Sequence, residues 1–280
     1  MKNKLVYLGV TAALMASSLF CFGVNITVGD PNSSGESGTG WYKGGSGPAS
    51  EVREVEPGMQ QDYRWDLQAF SYDYNSRNLS ILSGFNQKDG YGNMRLGDLF
   101  IDIDGNAVSH PDGYNYDHYE HNSAVYKYDY VVKLDIVNKE YNVYDLRNTT
   151  ADWVENVIYW NNSHNYNAAS DPWRYDLADS RNSAYKWVTK GTLAYSEVND
   201  ATADALAELD VGSGYKHYVS TLNNFSWLNP FGDKKLHITM ECGNDNMSGV
   251  ITSVPDGGAT ILLLGFGMSG LALIRRKRSN

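Results

Sequence analysis

The stretch FIDIDGN, residues 100–106, carries Asp102 and Asp104 two positions apart, ending at Gly105 with Asp98 close upstream. Alternation along a strand puts both carboxylates on one face, and carboxylate oxygens gathered at a strand end are the ligands a hard cation such as calcium takes. An EF-type loop needs D-x-D-x-D/N-G, however, and here the glycine arrives one residue early. The expectation is therefore a solvated Asp-Gly turn with no resident metal. His110, His118 and His121, with Asp112, Asp117 and Glu120, form the densest set of potential ligands. Their H-x7-H-x2-H spacing is not one that zinc sites use, so a polar loop is expected there. Cys242 is the only thiol outside the leader, which excludes an internal disulfide in the exported body. In LHITMECG, Ile238, Met240 and Cys242 share one strand face while His237, Thr239 and Glu241 share the other. His237 is thus turned away from Cys242, and an inert core thiol is expected. No G-x-S-x-G elbow, HExxH, P-loop or dinucleotide fingerprint occurs. No catalytic, cofactor or metal residue is assigned.

These residues sit in a body built of short runs rich in Tyr, Trp and β-branched residues, punctuated by Asn, Asp, Gly and Ser. The clearest is 125–136, where Tyr126, Tyr128, Tyr130, Val132, Leu134 and Ile136 alternate with Lys127, Asp129, Lys133 and Asp135. Asn138 and Lys139 break it before 141–146, predicting a hairpin over 125–146. A second hairpin is predicted from 62–74 and 78–85 around Asn75, Ser76 and Arg77. Further strands are expected at 98–103, 185–195, 216–222 and 236–242. DATADALAEL, 200–209, predicts one short helix, with Asp200 or Thr202 as N-cap and Gly212 as its stop. The stretch 148–179, with Trp153, Trp160 and Trp173, fits neither period and reads as a long loop. The fold class is mainly β, a jelly-roll-like antiparallel β-sandwich with one short helix.

The two ends are apolar where the middle is not. Residues 1–23 have the basic start (Lys2, Lys4), apolar run and small residues of a signal peptide cut after Gly23. Residues 24–50 read as a Gly/Ser-rich linker, 51–253 as the extracytoplasmic domain and 254–280 as a tail. In that tail Ala259 to Ile274 would rise about 24 Å as a helix, short of a hydrocarbon core of about 30 Å. Arg275, Arg276, Lys277 and Arg278 follow, and the positive-inside rule keeps them cytoplasmic, leaving the body outside the inner membrane. Six of the 23 basic residues and one of the 33 acids lie in the terminal segments, so residues 24–254 hold 17 basic against 32 acidic residues. A body this acidic repels phosphate backbones, which excludes nucleic acid as a partner.

Val254, Pro255, Asp256, Gly257 and Gly258, followed by the apolar run and the basic cluster, resemble the PEP-CTERM sorting tails of Gram-negative bacteria that make extracellular polysaccharide, in their VPDSG/VPDGG variant. The resemblance implies that an exosortase-type membrane protease processes the tail, by way of an inner-membrane-anchored intermediate, before the protein reaches the cell surface or matrix. Within the body, 94–106, the 125–146 hairpin and 236–250, above all MECGND at 240–245, look like segments of extracellular β-sandwich domains that precede such tails. No activity comes with that likeness. The expected function is a non-enzymatic surface or matrix protein. The 21 tyrosines and seven tryptophans give an alternative, a carbohydrate- or exopolysaccharide-binding module, since aromatic rings stack on sugars.

Overall fold

The computed structural model describes residues 23–28, 66–92, 94–108, 120–147, 153–155, 172–175, 187–208, 211–228, 232–241 and 245–253. Its strands, in chain order, are β1 (Val24–Asn25), β2 (Thr27–Val28), β3 (Leu67–Asp73), β4 (Asn78–Ser83), β5 (Leu99–Asp102), β6 (Glu120–Asn122) and β7 (Tyr130–Asp135). There follow β8 (Glu140–Asp145), β9 (Trp153–Glu155), β10 (Arg174–Tyr175), β11 (Trp187–Val198), β12 (His217–Leu222), β13 (Lys234–Thr239) and β14 (Asn246–Ile251). One short helix, α1 (Asp200–Ala207), lies between β11 and β12.

The two predicted hairpins form, and their turns are built alike. In β3–β4, Asp73 Oδ1 accepts the backbone N–H groups of Asn75 (2.8 Å) and Ser76 (3.3 Å), its Oδ2 accepts the Ser76 hydroxyl, and Arg77 takes φ 54°. In β7–β8, Asp135 accepts the N–H and side-chain amide of Asn138 at 2.9 and 2.7 Å, and Lys139 takes φ 57°. An aspartate that caps the turn and a left-handed residue before the return strand together set the register.

Eleven strands form one antiparallel sheet in the order β1-β3-β4-β12-β11-β8-β7-β5-β13-β14-β2. Two connections bend it into a nearly closed barrel. The long strand β11 pairs through Trp187–Thr192 with β8 and through Leu193–Val198 with β12, so it passes from one half of the sheet to the other. At the opposite seam the segment 24–28 is shared, β1 pairing with β3 and β2 with β14. Between them Ile26 donates its N–H to Phe70 O (3.0 Å) and accepts from Val250 N–H (2.9 Å). The interior is filled by alternate side chains such as Phe70, Ile81, Ile101, Val132, Val143, Leu222 and Ile238. Two glycines let the walls approach. A Cβ at Gly191 would lie 2.3 Å from the Tyr141 ring, and one at Gly249 would lie 2.7 Å from that of Phe70.

Two covers bury the outer face. Ala203 and Ala207 of α1 pack on Ala69, Leu82 and Val219, and Asn25 of β1 donates to the carbonyl of Ala207. A three-stranded sheet, β10-β9-β6, brings Val154 and Tyr175 over Phe100, Val131 and Tyr144. These covers explain why β3 and β5 are buried on both faces.

The mainly β, antiparallel reading with one short helix holds, but four details differ. The two layers expected of a sandwich are joined through shared strands into one nearly barrel-shaped sheet. The strand predicted from 125 begins at Tyr130, after a helical turn at Ser123–Tyr126 and Lys127 at φ 59°, so Tyr126 and Tyr128 pack on the outer face with Val131 instead of inside with Val132. The helix is capped by Asn199, whose side chain accepts Thr202 N–H at 2.9 Å, and it ends at Ala207 with Glu208 left-handed, before Gly212. Finally, 24–28 at the head of the expected linker belongs to the sheet, and the expected loop 148–179 contributes β9 and β10. The signal segment, the rest of the linker and the C-terminal apolar segment lie outside the described residues.

Ile26→Pro removes the N–H that Phe70 O accepts and a buried side chain. It should lower stability by about 3–5 kcal/mol, the sum of a lost seam hydrogen bond that leaves Phe70 O only the Thr27 hydroxyl at 3.5 Å and a lost core residue. Ile26→Ala should cost the side-chain part alone, about 2–3 kcal/mol. Urea unfolding checks both, and equal losses would show that the seam's hydrogen bond does not matter.

Candidate functional site

The carboxylates of the 100–106 segment form a site, though not with the partner the sequence suggests. β5 ends at Asp102, whose carboxylate is buried. Its Oδ1 accepts the N–H groups of Asp104 (3.1 Å) and Gly105 (2.7 Å), its Oδ2 that of Ala107 (3.1 Å), and Lys235 Nζ stands 4.0 Å away. Asp98 is engaged elsewhere, accepting from Lys133 Nζ at 2.8 Å and from Tyr175 N–H at 2.9 Å. The third member is Asp129, so that carboxylate oxygens of Asp102, Asp104 and Asp129 lie within 4.8 Å of one another. Nothing local in sequence joins Asp129 to Asp102; the pairing of Ile101 with Tyr130 across β5 and β7 does.

Burial pushes the Asp129 carboxyl above the ordinary carboxylate range. The Ile103 N–H it accepts at 2.7 Å opposes this, while the charges of Asp104 and Asp102 add to it. Asp104 is exposed, and both its oxygens accept from Asn106, at 3.2 and 2.6 Å. The cluster offers a hard cation three carboxylates where calcium takes roughly six to eight oxygens, and five of its six oxygens already accept hydrogen bonds. Its evident work is to fix the turn after β5.

Of the other candidates, His110, His118, Asp112, Asp117 and Cys242 lie outside the described residues. Glu120 and His121 fall in β6 instead of a loop. His237 is buried, its ring stacked on Tyr128 with centroids 5.8 Å apart. Burial, with a contribution from Asp102, raises the pKa of the Tyr128 hydroxyl, so it stays protonated. A polar contact that sequence reasoning missed lies beneath α1. The fully buried His217 meets Gln68 Oε1 through Nδ1 at 2.8 Å, and its Nε2 is 3.5 Å from Asp200 at the helix start. The β12–β4 and β3–β4 pairings and the helix position create it, and none of these is visible in local spacing.

At the other end of the function lies the exit of the chain. β14 ends at Ile251; the Thr252 hydroxyl bonds that of Tyr74 at 3.1 Å, and Ser253 N–H donates to Asp233 Oδ1 at 3.1 Å. Beside this exit a cleft of about 300 Å³ is lined by Tyr72, Tyr74, Arg77, Phe225 and Lys234. Lys234 donates to the carbonyl of Gly232, and burial lowers its pKa against the opposing charge of Asp233.

Residues 253–278 match the VPDSG-CTERM motif, so the chain carries a PEP-CTERM-like C-terminal sorting tail. The match covers the tail alone. No curated protein and no solved structure matches the chain. Val254, Pro255, Asp256, Gly257 and Gly258 of the motif, and Arg275, Arg276, Lys277 and Arg278 of the basic cluster, lie outside the described residues. Among the described residues no helix is long and apolar enough to cross a membrane.

Asp129 provides a pH test. Its raised pKa means that the contribution of its protonated form is fully present below the unfolded-state value and is lost as pH rises through the folded one. Asp129→Asn should therefore raise the melting temperature most at neutral pH, with the gap closing in acid; a gap independent of pH would contradict this. With its oxygens already bonded to the protein, the turn should also keep its melting temperature in EDTA, and a drop of several degrees would instead reveal a bound cation.

Proposed function

We propose that the chain is a non-enzymatic surface or matrix protein whose tail is cut by an exosortase-type membrane protease, leaving the barrel as the mature product. The sorting motif marks an exported protein. The observation that carries the proposal is the junction: the last described strand ends at Ile251, and the sorting match begins at residue 253. The described strands all end by Ile251, so a cut within 254–258 removes none of them. From Ser253 to Ala259 a fully extended chain reaches only about 20 Å. Before the cut, the barrel is thereby held close against the membrane that contains the apolar segment. The cut releases it.

A second reading, a carbohydrate-binding module delivered by the same route, draws on a particular observation. The aromatic side chains are largely spent in the core, with Trp173, Tyr141 and Tyr175 fully buried, and Trp187 and Tyr215 are the large aromatics among the exposed described residues. A sugar would then be held by polar groups in a cleft more than on a flat aromatic platform.

Replacing Arg275, Arg276, Lys277 and Arg278 with uncharged residues should weaken membrane retention and processing while leaving the barrel folded. Mass spectrometry of the surface fraction should recover body peptides and none that extends to Asn280; intact tail peptides in the mature surface form would refute the proposal.

A further inference from the structure

A second cleft, of about 380 Å³, opens between the β4–β5 connection, the β7–β8 hairpin and β10. Its charge is opposite to that of the body around it. Lys88, Arg95, Lys133 and Arg174 line it together with only two acids, Asp98 and Asp135. Two of the cations are neutralised within the protein. Lys133 Nζ is 2.8 Å from Asp98, and Arg95 grips Glu241 through two bonds of 3.1 Å. Asp135 is occupied by the hairpin turn, where the two bonds from Asn138 hold its carboxyl below the ordinary range. Arg174 and Lys88 have no carboxylate partner among the described residues.

Arg174 is nonetheless held in place. Its guanidinium carbon lies 5.1 Å from the ring centroid of the buried Trp173, the same distance at which Arg95 meets that ring. Trp173 is itself fixed, because its carbonyl accepts Asp98 N–H at 2.9 Å and Gly97 leaves no room for a Cβ beside it. A guanidinium stacked on an anchored ring presents its planar fork with little ordering cost, the geometry that suits a carboxylate. The cleft is also lined by amides. Gln87 is buried, its amide nitrogen donates to Ile81 O (2.9 Å), Ser83 Oγ (3.0 Å) and Tyr218 O (3.3 Å), and its Oε1 is enclosed by the protein. Asn142 adds a second amide to the lining. Sulfate or an unesterified phosphate can satisfy the cations but brings few donors for an amide oxygen. A sugar acid brings both a carboxylate and hydroxyls.

We infer that this cleft binds a uronic-acid unit of an acidic saccharide, with Arg174 and Lys88 on the carboxylate and the Asn142 amide on its hydroxyls. Its volume falls in the range of about 300–1,000 Å³ that small-ligand sites occupy. The inference deepens the carbohydrate-binding reading, and it rests on export only for where the ligand is met.

Titration calorimetry on the full-length chain in detergent, with digalacturonate, cellobiose and sodium sulfate as probes, tests it. Digalacturonate should bind at least about tenfold more tightly than cellobiose or sulfate, as one charge-assisted bidentate contact would give. Arg174→Gln should weaken it by about tenfold or more, and Lys88→Ala, at an exposed position, by a few-fold. If Arg174→Gln does not fold, Lys88→Glu decides, since a reversed charge at an exposed position should abolish selective binding of the acidic dimer without unfolding the chain. Equal affinity for cellobiose, equal affinity for sulfate, or no heat from digalacturonate would each overturn the inference. Tail processing of the unaltered chain keeps the two claims apart, because a chain that is processed normally yet binds no digalacturonate sinks this inference and leaves the sorting proposal standing.

Discussion

The closure of the sheet at Ile26 is the constraint on which the rest of the structure depends. Without the segment 24–28, β3 and β14 would each present an edge of unpaired backbone groups, a liability for an exported protein. With it, one peptide unit bonds to Phe70 on one side and Val250 on the other. The segment 24–28 thus closes over β14, the last described strand before the tail. Leu67 N–H donating to the Asp245 carboxylate ties the start of β3 to the start of β14 in the same way. The barrel therefore needs both ends of the body, and its described strands end before the sorting motif begins.

That arrangement fits a chain whose address and whose product are separable. The tail carries the apolar segment, the basic cluster and the motif; the body carries the charge surplus and the buried core. Because Thr252 and Ser253 are pinned to Tyr74 and Asp233, the motif starts from a fixed point on the barrel surface. The sorting motif implies that an exosortase-type system processes the tail beyond this point, and the cleft of Tyr72, Tyr74 and Arg77 lies beside it.

What could be read in the sequence was whatever period and punctuation encode locally. Tyr130, Val132, Leu134 and Ile136 alternate into the core as expected, the two Asp-capped hairpins formed, and the DATADALAEL helix is present. The sorting tail was legible because its motif, apolar run and basic cluster are contiguous. What was not legible depends on contacts distant in sequence. Lys127 in the left-handed region turns Tyr126 and Tyr128 to the other face, and no period signals it. β14 escaped because NMSGVI carries a glycine that the approach of Phe70 requires. Asp129 joins Asp102 and Asp104 only through the β5–β7 ladder. The five-residue closure at 24–28 is too short to show a period, and it abuts a Gly/Ser-rich stretch that hides it.

Hydrogen exchange compared between the full chain and one ending at Ser253 tests most directly whether the barrel is complete without its tail. Amide protection should be the same in both forms across the described strands, with the Val250 amide, bonded to Ile26 O across the seam, among those that exchange slowly. Loss of protection in β14 or in 24–28 on removal of residues 254–280 would show that the tail is part of the fold, and would contradict the account.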